Sequence, residues 1–231
     1  MGKAVQTAER ARDVDWRRAV LKGIPYLGDS LDEVLYGALE QARWDRVERT
    51  LAELAENMRA QEIPPDAVKK EEFANLLEDV APDLARATGE TKRVAFRELL
   101  LNASQIEPGA PQWEEARLAH ELLARLSLPA LEILAGLSKL GVAGEPGAIV
   151  RSLPGGASSE VVLRADESAR VRLDHGWTVT SQALRELLEP ERQLVLSGGY
   201  GAGYKKTGLT GLGEFLVRWT LSARPDVGEA Q

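Results

Sequence analysis

Between residues 29 and 60 the apolar side chains Leu31, Val34, Leu35, Ala38, Leu39, Ala42, Val47, Leu51, Leu54, Ala55 and Met58 recur at three- and four-residue steps. That spacing lays them along one face of a single long α-helix. A helix of about 30 residues spans about 45 Å and cannot bury such a stripe against itself, so neighbouring segments must cover it. The chain is therefore expected to wrap other helices around this one.

The flanking segments meet that requirement. Residues 4–21 carry an imperfect apolar stripe through Val5, Ala8, Trp16, Ala19 and Val20, and Gly23, Pro25 and Gly28 interrupt it. The connection Ile24-Pro25-Tyr26-Leu27-Gly28 then offers Asp29 or Ser30 as N-cap of the long helix, with Asp32 and Glu33 facing the positive end of its dipole. Ile63-Pro64-Pro65-Asp66 ends it, because consecutive prolines cannot continue a helix. A third helix is expected over residues 67–80, with Val68, Phe73, Leu76, Leu77 and Val80 on one side, and a fourth over residues 90–102. Pro108, Gly109 and Pro111 then break the chain. Four amphipathic helices joined by short connections predict an antiparallel helical bundle over residues 1–109.

Beyond Pro111 the character changes. Residues 113–126 and 129–140 are helical by period, but from Gly141 onward glycine and β-branched residues accumulate. Residues 161–166 and 169–174 read as a hairpin, since Val161, Leu163, Val171 and Leu173 alternate at period two. A short helix over residues 181–188, a strand at residues 194–197, a glycine-rich tip over residues 198–203, a return strand over residues 204–209 and a closing helix over residues 211–221 complete the pattern. The tail, residues 223–231, has no apolar period and is expected to fray.

Helices, a hairpin with a long tip and a closing helix make up the layout of a winged-helix domain. The run Leu209-Thr210-Gly211-Leu212-Gly213-Glu214-Phe215-Leu216-Val217 resembles the end of bacterial winged-helix units, where a Leu-Thr-x-x-Gly turn closes the wing and starts a packing helix. The front half carries the 24–28 entry, Glu71-Glu72-Phe73 with Leu76-Leu77-Glu78, and Lys92-Arg93 followed by Phe96, Leu99, Leu100 and Asn102. Together these features resemble a group of small bacterial proteins of unknown function that join a helical bundle to a winged-helix end. The resemblance implies a mostly α fold, with a bundle over residues 1–109 and a winged-helix-like α+β domain over residues 112–222. The 24–28 entry is also similar to the helical bundle domains of membrane-perturbing immune effectors, which implies action on membranes as a further alternative.

Composition narrows the chemistry. The chain has no cysteine, so thiolate nucleophiles and cysteine metal sites are out of reach, and its two histidines, His120 and His175, stand far apart in sequence. The start of the chain lacks the apolar core of a signal peptide, and no run of about 18 uncharged apolar residues occurs, so a soluble, cytoplasmic protein is expected. The net charge of −7 argues against a large polyanion-binding surface. Residues 1–111 carry 16 basic against 21 acidic side chains, and residues 112–231 carry 13 against 15. Neither half is a basic nucleic-acid module.

The candidate sites are few. Gly198-Gly199-Tyr200-Gly201-Ala202-Gly203-Tyr204-Lys205-Lys206-Thr207 invites a phosphate-loop reading, but in a phosphate loop lysine directly follows glycine at the start of a helix, and here Tyr204 intervenes. A hairpin tip explains the glycines better. As a wing, its Tyr200, Tyr204, Lys205 and Lys206 are candidate contacts to DNA phosphates or to a protein partner, joined by Gln182 and Arg185 from the short helix. Glu186, Glu189 and Glu191 on and after that helix would repel phosphate, and the other helix offered for the groove, residues 147–153, has only Arg151 as a basic side chain. His175 follows Asp174 and precedes Ser181, but no nucleophile elbow accompanies them, so a turn histidine is expected. Glu71-Glu72, Asp32-Glu33 and Glu114-Glu115 diverge by about 100° on a helix and suit first turns better than a metal. No catalytic residue, cofactor or metal is expected. The reading is a non-catalytic regulatory or protein-interaction module of a bacterial cell, with a DNA-binding regulator and a membrane-acting effector as alternatives; a homo-oligomer is compatible with either.

Overall fold

The computed structural model describes residues 38–87, 89–141, 148–155, 157–163, 170–189, 193–201 and 204–221. The helix expected over residues 4–21, the 24–28 entry, the cap at Asp29 or Ser30, Glu191 and the tail lie outside the described residues, as do the side chains of Trp44, Tyr200, Tyr204, Lys205 and Lys206. Among the described residues the chain is mostly helical with one small antiparallel sheet. It divides into two compact units, Met1–His120 and Glu121–Gln231.

In the first unit, α1 (Ala38–Ala60) buries Val47, Leu51, Leu54, Ala55 and Met58, the C-terminal part of the stripe read from sequence. Its end is a Schellman turn: Ile63 N–H reaches back to Met58 O at 2.9 Å and Glu62 N–H to Arg59 O at 3.0 Å. Glu62 holds φ +55° there, a position glycine usually fills. A 3-10 turn (Pro65–Lys69) buries Ala67 and Val68 and leads to α2 (Glu71–Arg86). The expected end at Val80 is overrun, because α2 continues through Pro82. Proline removes one backbone hydrogen bond at a cost of about 3 kcal/mol in a helix interior. Leu84 and Ala85, both buried, carry the apolar stripe past it and offset that loss, while Pro82 itself faces solvent.

Next, α3 (Glu90–Ser104) buries Ala95, Phe96, Leu99, Leu100, Leu101 and Ala103. The helices α1, α2 and α3 pack pairwise on one another. The 108–111 stretch joins α3 to α4 (Gln112–Arg125) within this unit, and the division between units falls inside α4. Trp113 anchors the start of α4, buried and donating its Nε1–H to Glu107 O at 3.0 Å.

In the second unit, α5 (Leu128–Lys139) starts at Ser127, whose hydroxyl accepts the Ala130 N–H. The sheet has the order β3-β2-β1-β5-β4, every pair antiparallel. Its strands are β1 (Ala148–Ser152), β2 (Ser159–Leu163), β3 (Arg170–Leu173), β4 (Val195–Gly201) and β5 (Tyr204–Leu209). The expected hairpin is β2 and β3, and the expected return strand is β5. Of residues 147–153, offered from sequence as a helix for a DNA groove, residue 147 lies outside the described residues and Ala148–Ser152 instead form the central strand β1, with Val150 buried and paired to Val161. Ile149 and Val150 are β-branched, and both edges of β1 are bonded, which favours extended backbone over one and a half helical turns.

Helix α5 packs on β2, β3 and β5, on α6 (Trp177–Leu187) and on α7 (Gly211–Thr220). Gly136 admits the sheet here: a Cβ at this position would stand 3.3 Å from the Val161 side chain. The Leu-Thr-x-x-Gly turn behaves as the sequence suggests at its helix start. Thr210 caps α7 by accepting the Gly213 N–H at 3.0 Å and donates to Gln193 O at 2.6 Å. A Cβ on Gly213 would fall 2.1 Å from the Leu194 carbonyl oxygen, which no helical rearrangement of a side chain relieves.

Alanine in place of glycine inside a helix ordinarily stabilises by about 1 kcal/mol. Gly213→Ala is expected to do the reverse and lower the denaturation midpoint by more than about 1 kcal/mol equivalent, since backbone must move. Gly211→Ala, which meets open space, is expected to be neutral or slightly stabilising. Urea unfolding of the two variants checks the pair, and equal effects would contradict the close approach.

Candidate functional site

The residues singled out for contact lie on two elements of the second unit. Gln182 and Arg185 are exposed on α6, and Thr178 and Val179 share its outward side, Val179 at 44% exposure. Positions three and four apart on a helix share a face, so 178, 182 and 185 form one stripe. Their opposite face, Thr180, Ala183, Leu184 and Leu187, is buried.

Tyr200 belongs to β4, and Tyr204, Lys205 and Lys206 to β5. The glycine-rich stretch is largely strand: β4 runs through Gly198 to Gly201, with a register shift between Gly198 and Tyr200. Tyr204 stands opposite Arg151, Lys205 opposite Val150 and Lys206 opposite Ile149. Successive strand residues belong to opposite faces, so positions 205 and 206 do not share a face.

The acidic objection to nucleic acid on α6 changes too. Glu186 Oε1 accepts the Ser127 N–H at 2.8 Å, so this carboxylate is engaged at the start of α5 and ties α6 to it. Such a tie supplies the N-cap N–H of α5 with an anionic acceptor, the favourable sign for a helix N-terminus.

Both histidines are tied to carboxylates on neighbouring helices. His175 Nε2 lies 2.9 Å from Glu132 Oε2 on α5, an ion-pair distance, although no hydrogen bond satisfies this buried nitrogen. Asp174, its neighbour in sequence, is 92% exposed and lies 3.8 Å from Arg172 instead. Thr180 Oγ1 stands 3.3 Å from His175 O and 3.1 Å from the buried Ser159 Oγ. One arrangement serves both contacts, with Thr180 donating to the carbonyl and Ser159 donating to Thr180. In the first unit, His120 Nε2 lies 3.2 Å from Asp83 Oδ2, with its ring 6.2 Å from that of Phe96. Neither tie was legible in the sequence, because each partner stands about forty residues away and no local spacing marks it.

Of the acidic pairs, Asp32-Glu33 lies outside the described residues, while Glu71-Glu72 and Glu114-Glu115 stand in the first turns of α2 and α4. Glu114 pairs with Arg117 at 2.6 Å along α4. Glu72 accepts its own backbone N–H and that of Gly109, 2.9 Å away, and these two bonds, in that order, hold its carboxyl below the usual carboxylate range. Lys70 Nζ donates to Ser104 O at 3.2 Å and Ile106 O at 2.6 Å, closing the end of α3. Buried in the sheet, Glu160 pairs with Arg151 at 2.7 Å across β1 and β2. Among the described residues no group of three histidine, aspartate or glutamate side chains is placed to hold a metal ion, and no helix is long and apolar enough to cross a membrane.

Compared with protein-family models, curated proteins and solved structures, the chain matches none.

Glu72 supplies a test of this arrangement. Its depressed folded pKa means that its stabilisation is present above the unfolded value, about 4.3, and is lost as pH falls through the lower folded value. Glu72→Gln should therefore flatten that part of the acid dependence of stability while leaving the pH 7 to 8 range parallel to the parent. Thermal melts from pH 2 to pH 8 measure this, and an unchanged acid limb would contradict the Glu72 to Gly109 tie.

Proposed function

We propose that this chain is a non-catalytic regulatory or protein-interaction module of a bacterial cell, a helical-bundle unit followed by a winged-helix-like unit. One observation carries the reading: among the described residues, both histidines and two of the candidate carboxylates stand against groups of neighbouring elements. His120 meets Asp83, His175 meets Glu132, Glu186 meets Ser127 and Glu72 meets Gly109. Groups held this way position helices, whereas a catalytic set has to converge on a space a substrate can enter. The outward stripe of α6, with Thr178, Val179, Gln182 and Arg185, supplies the contact surface, fixed from behind by the Glu132 and Glu186 ties.

For the winged-helix-like part, support comes from the order helix, hairpin, closing helix in α6, β4 with β5, and α7, and from the Thr210 cap that starts α7. The three strands β1 to β3 between α5 and α6 set it apart from a plain helix-turn-helix.

The DNA-binding reading gains one specific support, since Glu186 is held at Ser127 and does not oppose phosphate from the outer side of α6. It remains second, because positions 205 and 206 fall on opposite sheet faces and the overall charge is −7.

Exposed substitutions separate the readings without disturbing the fold. Gln182→Ala with Arg185→Ala should shift stability by no more than about 0.5 kcal/mol and weaken capture of the protein partner by the full-length chain. Duplex DNA at physiological salt should bind no tighter than about micromolar, the non-specific range. Nanomolar, sequence-selective binding with a steep salt slope, reduced by Arg185→Ala, would instead establish the DNA reading.

A further inference from the structure

We draw no further inference here: the strongest candidate, the face of the five-stranded sheet that carries Arg151, Arg170 and Arg172 and points away from α5, is buried at its centre at Glu160 and Val162, and nothing among the described residues shows what covers it.

Discussion

The first unit depends on three helices sharing one apolar core. Leu54 of α1, Val80 and Leu84 of α2, and Phe96 and Leu99 of α3 are all fully buried. Each such side chain contributes roughly 1.5 to 3 kcal/mol by leaving water. This burial fixes where the helices end relative to one another, and it thereby brings bare helix termini close to side chains from neighbouring helices. Arg46 on α1 reaches Ala85 O near the end of α2 at 3.0 Å, and Lys70 reaches Ser104 O, the last carbonyl of α3, and Ile106 O just beyond it. Arg97 on α3 meets Glu53 on α1 at 2.7 Å. The polar contacts follow from the packing and satisfy backbone groups that a short helix leaves open.

The same order of causes holds in the second unit. Helix α5 can approach the sheet because Gly136 leaves room for Val161, and α7 can approach Leu194 because Gly213 has no side chain. With α5 placed, Glu132 and the Ser127 N–H become available to His175 and Glu186, one near each end of α6. The inward side of α6 is thus committed by burial and by charge, and its outer stripe is left exposed.

How much of this could be read from sequence depended on the range of the interaction. Periodicity located the described part of α1, together with α3, α5, α7 and β5, because a helix or strand repeat is a local property. The Ile63-Pro64-Pro65 stop was legible for the same reason, whereas the Thr210 cap was not named from sequence, where only the helix start after Leu209 was expected. Pro82 was misleading, since the compensation from Leu84 and Ala85 is tertiary. Strand β1 escaped notice because the short run Ala148-Ile149-Val150 shows no alternation in sequence, and residues 147–153 read equally well as a turn of helix. The partners of His120, His175 and Glu186 belong to helices brought together only by folding. At the candidate contact site, the short helix with Gln182 and Arg185 was expected from residue 181 and begins at Trp177, and the separation of positions 205 and 206 follows from the alternation of the expected return strand.

If the ionisable groups serve to position helices, paired removal should show energetic coupling between partners. The most direct measurement is a double-mutant cycle on the full-length chain with His175→Ala, Glu132→Ala and the double variant, each unfolded in urea at one fixed pH. The account predicts a coupling of about 0.5 kcal/mol or more, the range for residues in direct contact, with secondary structure intact in all three. Additive effects, or no loss of stability on removing either partner, would contradict it and free both groups for another role.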